Sequence, residues 1–390
     1  MKDRQALFIR NTISSTNDDV AVEYKEIRKE LKRPLRIKLG IDPTGPLIHL
    51  GHCVLLERLR FLQEEGHEII IIIGSFTAMI GDPANASAER PKLTPEEVAL
   101  NYETYREQIG RVLDLTRTQF VFNNSWFDKF NLENTLELMS NITVSQMLQR
   151  RDFKERLELG LKLHEIMYPL LQAYDSVAIA SDIELGGIDQ LFNTQAGRSL
   201  QKLYGQRPQL VWYCNIITGT DGVQKMSKSL NNFIAVGDLN MFGKLMSIKD
   251  ETMFEYIREL LVDLPELIAL YEVPQPLEGG NLCHLKRALA HFLTNRYLGQ
   301  KEADQQRRSF DKAAAIPTIE WKYSKSINLV DIIATLLPNE SRSNIRRIVA
   351  QGGCRIQNQV VESLSYELSD EQQEILLAVG KFHKVKILFT

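Results

Sequence analysis

Residues 35–52 read LRIKLGIDPTGPLIHLGH, and residues 68–74 read EIIIIIG. LRIKLGID (35–42) has the pattern of a strand, and it runs into a turn at Asp42-Pro43-Thr44-Gly45-Pro46. A helix is expected over roughly 50–65, with Leu55, Leu59 and Leu62 on one face and Gly66 as its stop. EIIIIIG is a fully apolar strand of the kind that is buried on both faces of a parallel sheet. Strand, helix and strand in close succession make a βαβ unit, and the expected fold is α/β with a doubly wound, Rossmann-like parallel sheet.

Working outward, residues 97–160 read as a charged, mainly helical insertion at a sheet edge. A second βα block follows: a helix near 165–180, the pair Gly186-Gly187, another helix, and QLVWYCNIITG (209–219) as a strand. From about residue 240 the pattern is helical, PQPLEGGN (274–281) reads as a loop, 316–326 as a linker, and the last sixty-odd residues as a small α+β unit. The expected division is an α/β domain over 1–237, a helical domain over 238–318 and a small α+β domain over 325–390.

The chain has 390 residues, 25% of them charged, and a net charge of −3. That balance argues against a protein built wholly around nucleic acid, while leaving room for local basic patches. Cys53, Cys214, Cys283 and Cys354 are widely spaced and suggest reduced thiols in a cytoplasm, with no dedicated metal site. The opening MKDRQALFIRNT has no apolar signal core, and Ile69–Ile73 is too short to span a bilayer.

The turn at 40–52 lies where a first strand hands over to its helix, the place where α/β sheets bind ligands. A helix N-terminus offers unpaired N–H groups and partial positive charge to phosphate. His49 and His52, three apart, can face one side of the first turn, Thr44 adds a hydroxyl, and Gly51 lets a base or sugar lie against the backbone. Histidines are more often ordinary core or surface residues, but two of the chain's seven fall at this turn. Farther along, QKMSKSLNN (224–232) sets Lys225 and Lys228 on a polar loop after a later strand. Two lysines alone would make a solvated loop. Over a bound triphosphate they would meet the charge that builds on a departing pyrophosphate.

HLGH (49–52) and KMSKS (225–229), in that order, resemble the two signatures of class I aminoacyl-tRNA synthetases. The tracts GIDPTGPLIHLGH, FTAMIGDP, YPLLQAYDS, ELGGIDQLFN and DGVQKMSKSLNN resemble bacterial tyrosyl-tRNA synthetases along nearly the whole chain. The resemblance implies ATP as substrate with Mg²⁺, tyrosine and tRNA(Tyr) as the other substrates, a homodimer and a cytoplasmic location. It assigns Thr44, His49, His52, Lys225 and Lys228 to the chemistry, and Gly40, Asp42, Gly51, Gly187, Asp189 and Lys228 to ATP. It gives Tyr168, Gln172 and Asp82 to the amino group of tyrosine, Asp175 to its phenol and Gln190 to its carboxyl end. Tyr168, Gln172 and Asp175 share one helical face, and Pro169 suits a first helical turn. Phenylalanine would leave a buried Asp175 unpaired, which is the basis for rejecting it. Lys38 stands where many members carry a tyrosine, Leu39 and Leu55 where some have small or polar residues, and Ile188 where serine or threonine is common.

The tail ESRSNIRRIVAQGGCRIQNQVVE (340–362) resembles an S4-type RNA-binding module. Its Arg342, Arg346 and Arg347 lie on a short helix that Gly352-Gly353 would stop, and RNA phosphates are their natural partner. Residues 321–390 hold nine Lys/Arg and seven Asp/Glu, a mild +2. LQRRDFKERLE (148–158) resembles the region where the family dimerises and guides the acceptor stem, or is a solvated helix. Three other readings stay open: a tryptophanyl-tRNA synthetase, a non-catalytic RNA-binding paralogue, and a small-molecule nucleotidyl transferase.

Overall fold

A computed structural model of the chain describes residues 18–81, 93–148, 153–154, 157, 160–262, 264, 279–314, 318–321, 327–337, 340–357, 359–363, 366–368, 374–379 and 383–389. These residues form two compact units that divide between Arg307 and Arg308.

The first unit opens with α1 (Asp18–Leu31), β1 (Arg36–Ile41), α2 (Leu50–Glu64) and β2 (Glu68–Ile73). Gly66, at φ +87°, supplies the left-handed residue that ends α2. β1 and β2 run parallel with Ile37 opposite Ile69, so the expected βαβ unit is present. Then come α3 (Pro95–Ile109), β3 (Thr118–Phe122), α4 (Leu132–Ser140), α5 (Leu163–Ala178), β4 (Ile183–Gly187), α6 (Leu191–Leu203) and β5 (Leu210–Cys214). The strands are all parallel in the order β3-β2-β1-β4-β5. Chain direction across the sheet reverses between β1 and β4, which opens a crevice at their carboxyl ends.

Two expectations need correction. The stretch 97–160 is not simply a helical insertion, because TQFVF (118–122) is the edge strand β3 beside β2. The strand is short and only partly buried, so its apolar pattern is weak against the charged helices around it. Pro169 is not in a first turn either, since α5 begins at Leu163 and the proline lies inside it. It removes the hydrogen bond that the Glu165 carbonyl would otherwise accept.

Helices α7 (Met241–Ser247), α8 (Asp250–Leu260), α9 (Gly279–Leu298) and α10 (Gln300–Ala314) follow. Gly279, Gly280 and Asn281 open α9; residues 274–278, the rest of the expected loop, lie outside the described residues. Buried charges tie α2 to these helices. Arg58 Nη2 lies 2.7 Å from Glu259 Oε2 of α8, and the Tyr297 hydroxyl of α9 donates to Glu57 Oε1 at 2.9 Å. Such pairs add little net stability against apolar packing, but they fix orientation. Here they orient the helix whose N-terminus carries HLGH.

The second unit contains β6 (Thr318–Trp321), β7 (Ile327–Asn328), α11 (Leu329–Leu336), α12 (Arg342–Ala350), β8 (Cys354–Ile356), β9 (Gln359–Val360), β10 (Glu367–Leu368), β11 (Glu374–Val379) and β12 (His383–Phe389). One sheet runs β6-β12-β11-β8-β9 and covers a core that includes Ile332, Ile345, Ile375 and Ile387. β6 pairs with β12, Thr318 opposite Lys386, so part of the stretch read as a linker is a strand of this unit.

Candidate active site

A cavity of about 760 Å³ opens at the carboxyl ends of β1, β2, β4 and β5. At one end lies the start of α2. His49 is its N-cap: the Gly51 N–H donates to His49 Nδ1 and the His49 N–H to His52 Nδ1, both at 3.2 Å. Each imidazole therefore accepts through Nδ1, which leaves the proton of the neutral ring on Nε2. Burial drives both rings toward neutrality, holding His52 down at about 3 and His49 lower still, with Lys228 adding to the effect. At neutral pH the pair offers N–H donors, not charges. Gly51 is required by this arrangement, since a Cβ there would lie 2.9 Å from the His49 ring.

The lysine loop meets the same end. The Leu50 N–H donates to the Ile234 carbonyl and the Val236 N–H to the Ile48 carbonyl, each at 3.0 Å. The segment after KMSKS is thus paired directly to HLGH. The loop is less free than its composition suggests. Met226 is buried, and buried Asn232 accepts from the Ser227 N–H at 2.8 Å while donating to Asp221 Oδ2 at 2.8 Å. Lys225, Lys228 and Thr44 all line the cavity.

The opposite end is built from scattered elements. The Tyr168 hydroxyl and the Thr77 hydroxyl each donate to Asp42 at 2.8 Å. That carboxylate lies across Gly74, where a Cβ would clash with it. Asp175, 4% exposed, accepts from Trp126 Nε1 at 3.1 Å and faces Asn123 Nδ2 at 3.5 Å. Burial raises its carboxyl to about 7, with nearby Lys38 acting against the rise. Lys38, wholly buried, pairs with Glu184 at 2.9 Å and donates to Ser176 Oγ at 2.7 Å and the Gln172 carbonyl at 3.1 Å. Asn193 Nδ2 donates to Gln172 Oε1 at 2.9 Å and Gln190 Oε1 at 2.8 Å, holding both amides by their oxygens.

Residues 29–313 match the model of the family described as tRNA synthetases class I (W and Y). The tyrosine–tRNA ligase of Thermotoga maritima is 41% identical over 93% of this chain and 94% of its own length. That of Desulfotalea psychrophila is 39% identical over 100% of this chain and 98% of its own. The chain belongs to the tyrosine–tRNA ligases.

More distantly similar solved structures agree in fold. An Archaeoglobus fulgidus tyrosyl-tRNA synthetase complexed with L-tyrosine has a TM-score of 0.61 at 22% identity, covering 78% of this chain and 99% of its own. A Plasmodium falciparum tryptophanyl-tRNA synthetase reaches 0.55 at 14%, covering 79% and 89%. The fold alone therefore does not separate the two amino acids; close sequence relatives do.

The structure brings Gly40, Asp42, Thr44, His49, Gly51, His52, Tyr168, Gln172, Asp175, Gly187, Asp189, Gln190, Lys225 and Lys228 into one cavity. Asp82 lies outside the described residues, as does most of 148–158, although Phe153 is buried. Arg342, Arg346 and Arg347 are exposed on α12 in the second unit, where Arg342 pairs with Asp331 at 3.0 Å. Sequence reasoning missed Thr77, Asn123, Trp126, Glu184 and Asn193. Asn123 and Trp126 follow β3, so recognising that strand would have placed them at a carboxyl end, where sites form.

Proposed function

We propose that the cavity activates tyrosine with ATP and then delivers it to the 3′-terminal ribose of tRNA(Tyr). The observation that carries this reading is the backbone pairing of Ile48–Leu50 with Ile234–Val236, which sets two imidazoles and two lysines around one cavity whose other end presents Asp175.

In the first step a tyrosine carboxylate oxygen forms a bond to the α-phosphorus, and the bond to the β-phosphate oxygen breaks. Pyrophosphate leaves and tyrosyl-adenylate remains. Thr44 and the Nε2–H groups of His49 and His52 donate to the phosphates, while Lys225 and Lys228 meet the charge building on the leaving group. Gly40, Asp42, Gly51, Gly187 and Asp189 line the adenosine. Asp175 accepts the phenol O–H, Tyr168, Gln172 and Asp82 hold the ammonium, and Gln190 faces the carboxyl end. In the second step a ribose hydroxyl attacks the tyrosyl carbonyl and AMP leaves. No protein side chain becomes acylated, so rate comes from positioning and charge.

Mg²⁺ enters with ATP as part of that substrate. Imidazole N–H donors and ammonium groups line the phosphate end, a set suited to anionic oxygen and not to a bare cation.

We divide the roles as a catalytic domain over 1–237, with its insertion following β3, a helical anticodon-binding-type domain over 238–318, and an S4-like domain over 325–390. In the last, Arg342, Arg346 and Arg347 contact tRNA phosphates. A second copy covers α4, whose Leu132, Leu136 and Met139 stand exposed at helical spacing (73%, 56% and 43%), making a homodimer. The four cysteines are free thiols, which suits the cytoplasm. Among the described residues no helix is long and apolar enough to cross a membrane.

ATP–pyrophosphate exchange with tyrosine, tryptophan and phenylalanine tests the assignment. Exchange with tyrosine alone is expected. Exchange with tryptophan alone would make this a tryptophanyl enzyme, and RNA binding without exchange would make it a binding paralogue.

A further inference from the structure

We infer that Tyr105 is a positioning residue for Lys228, holding its ammonium at the phosphate end of the cavity before ATP binds. This rests on the reading that Lys228 meets the phosphates, and it adds a residue from outside both signatures.

Tyr105 lies on α3, far in sequence from HLGH and from the lysine loop, and its side chain is wholly buried. Its hydroxyl accepts from Lys228 Nζ at 2.7 Å, and the same ammonium lies 5.3 Å from the ring centroid. Thr44 stands beside the same phenol. Tyr105 thus sits between the turn after β1 and the loop after β5.

The helix beneath it is built as a brace. Asn101, Thr104, Tyr105 and Gln108 share one face of α3. Asn101 Nδ2 donates to the Pro43 carbonyl at 2.9 Å, Thr104 Oγ1 to the Pro46 carbonyl at 2.8 Å and Gln108 Nε2 to the same carbonyl at 2.9 Å. Gln108 Oε1 accepts from the Ile48 N–H at 2.9 Å. One helical face therefore satisfies the backbone of the phosphate-binding turn and presents Tyr105 to Lys228. A lysine stem has many rotamers, and its ordering normally costs entropy when charge develops. A rigid buried ring removes part of that cost beforehand.

The partner's chemistry suits priming and not sequestration. A carboxylate here would neutralise the ammonium and compete with phosphate. Burial instead pushes the Tyr105 phenol up, so it stays an uncharged acceptor. An ammonium has three donors, so Lys228 can keep this bond while meeting phosphate.

The test is a double-mutant cycle on tyrosine-dependent ATP–pyrophosphate exchange with wild type, Tyr105→Phe, Lys228→Ala and the pair. Rates are referred to active sites counted by the adenylate burst, so any loss of folded protein drops out. Phe keeps the ring and its packing but removes the hydroxyl. Tyr105→Phe should lower kcat about tenfold with tyrosine KM unchanged, and the pair should be no slower than Lys228→Ala alone. An unchanged kcat in Tyr105→Phe, or a pair slower than Lys228→Ala by the full Tyr105→Phe factor, overturns the inference while leaving the function intact. Wild type without exchange overturns the function, and this inference with it.

Discussion

The phosphate end of the cavity draws its signature groups from two short tracts, HLGH and KMSKS, whose neighbouring backbone segments pair directly. The phenol end draws side chains from β1, the turn after β3, α5, β4 and α6, and nearly all of its ordering is side chain to side chain. The groups differ in state as well as source. The phosphate end offers neutral N–H donors and half-buried cations to an anion that arrives with its own charge. The phenol end holds a fully buried ion pair and a desolvated carboxyl that await one hydroxyl. Local backbone geometry can present donors to a mobile, highly charged ligand. Discriminating one oxygen atom takes a rigid network assembled across the sheet.

Breaking the phenol end at its base should have the largest effect. Lys38→Met leaves Glu184 buried without its cation, and equilibrium unfolding should show a loss of about 3–5 kcal/mol with a raised tyrosine KM and an unchanged ATP KM. Adding Glu184→Gln should restore much of the stability. A single variant as stable as wild type would mean the ion pair does not organise this end.

Breaking the phosphate end gives the reverse kinetic signature. Lys228→Ala should slow adenylate formation by about 10²–10³ with little change in tyrosine KM, measured by single-turnover kinetics. Equal losses in rate and tyrosine affinity would contradict a role confined to charge stabilisation.

A pH series sharpens the comparison. The folded carboxyl of Asp175 lies above its ordinary range, at about 7, so the stability it contributes is fully present at acid pH and is lost as pH rises toward about 7. The stability of wild type relative to Asp175→Asn should therefore fall as pH rises through that window. Tyrosine affinity should move the opposite way, weakening below about pH 7 as the acceptor takes up a proton, while phenylalanine affinity does not weaken. His49 and His52 stay neutral throughout this range, so the ATP KM should not follow the same curve. A parallel drop in both substrates would dissolve the distinction between the two ends.

The smallest effect should come from outside both. Arg346→Gln should leave exchange unchanged, weaken tRNA aminoacylation a few-fold and reduce the salt slope of tRNA binding by about one. A loss in exchange would place this arginine in a role other than phosphate contact.

The difference between the two ends also explains which parts of the site could be read early. HLGH and KMSKS carry their function in adjacent residue types, since imidazoles three apart at a helix start can cap that helix in only a few ways. Asp175 is assigned by the resemblance alone, since a polar helical face more often meets water. Trp126 and Asn123 were missed together with β3, since an edge strand buries little and its pattern fades among charged helices. Glu184 sat in view within ELGG, but nothing nearby shows that its cation comes from the middle of β1. The helix expected near 165–180 was placed well, though Pro169 misled the estimate of its start, because an interior proline resembles a first-turn proline when seen alone.

By itself the amino-acid sequence determined the βαβ core, the pairing of a helix-start imidazole motif with a later lysine loop, and through them the class of reaction. Periodicity and short-range spacing decide these, because they depend on backbone geometry within a few residues. Only the tertiary structure decided that Lys38 is neutralised by Glu184, that Trp126 holds Asp175, and that Tyr105 meets Lys228. Buried polar groups must find partners wherever the folded chain puts them, and that choice is made by packing across elements and not by neighbours in sequence.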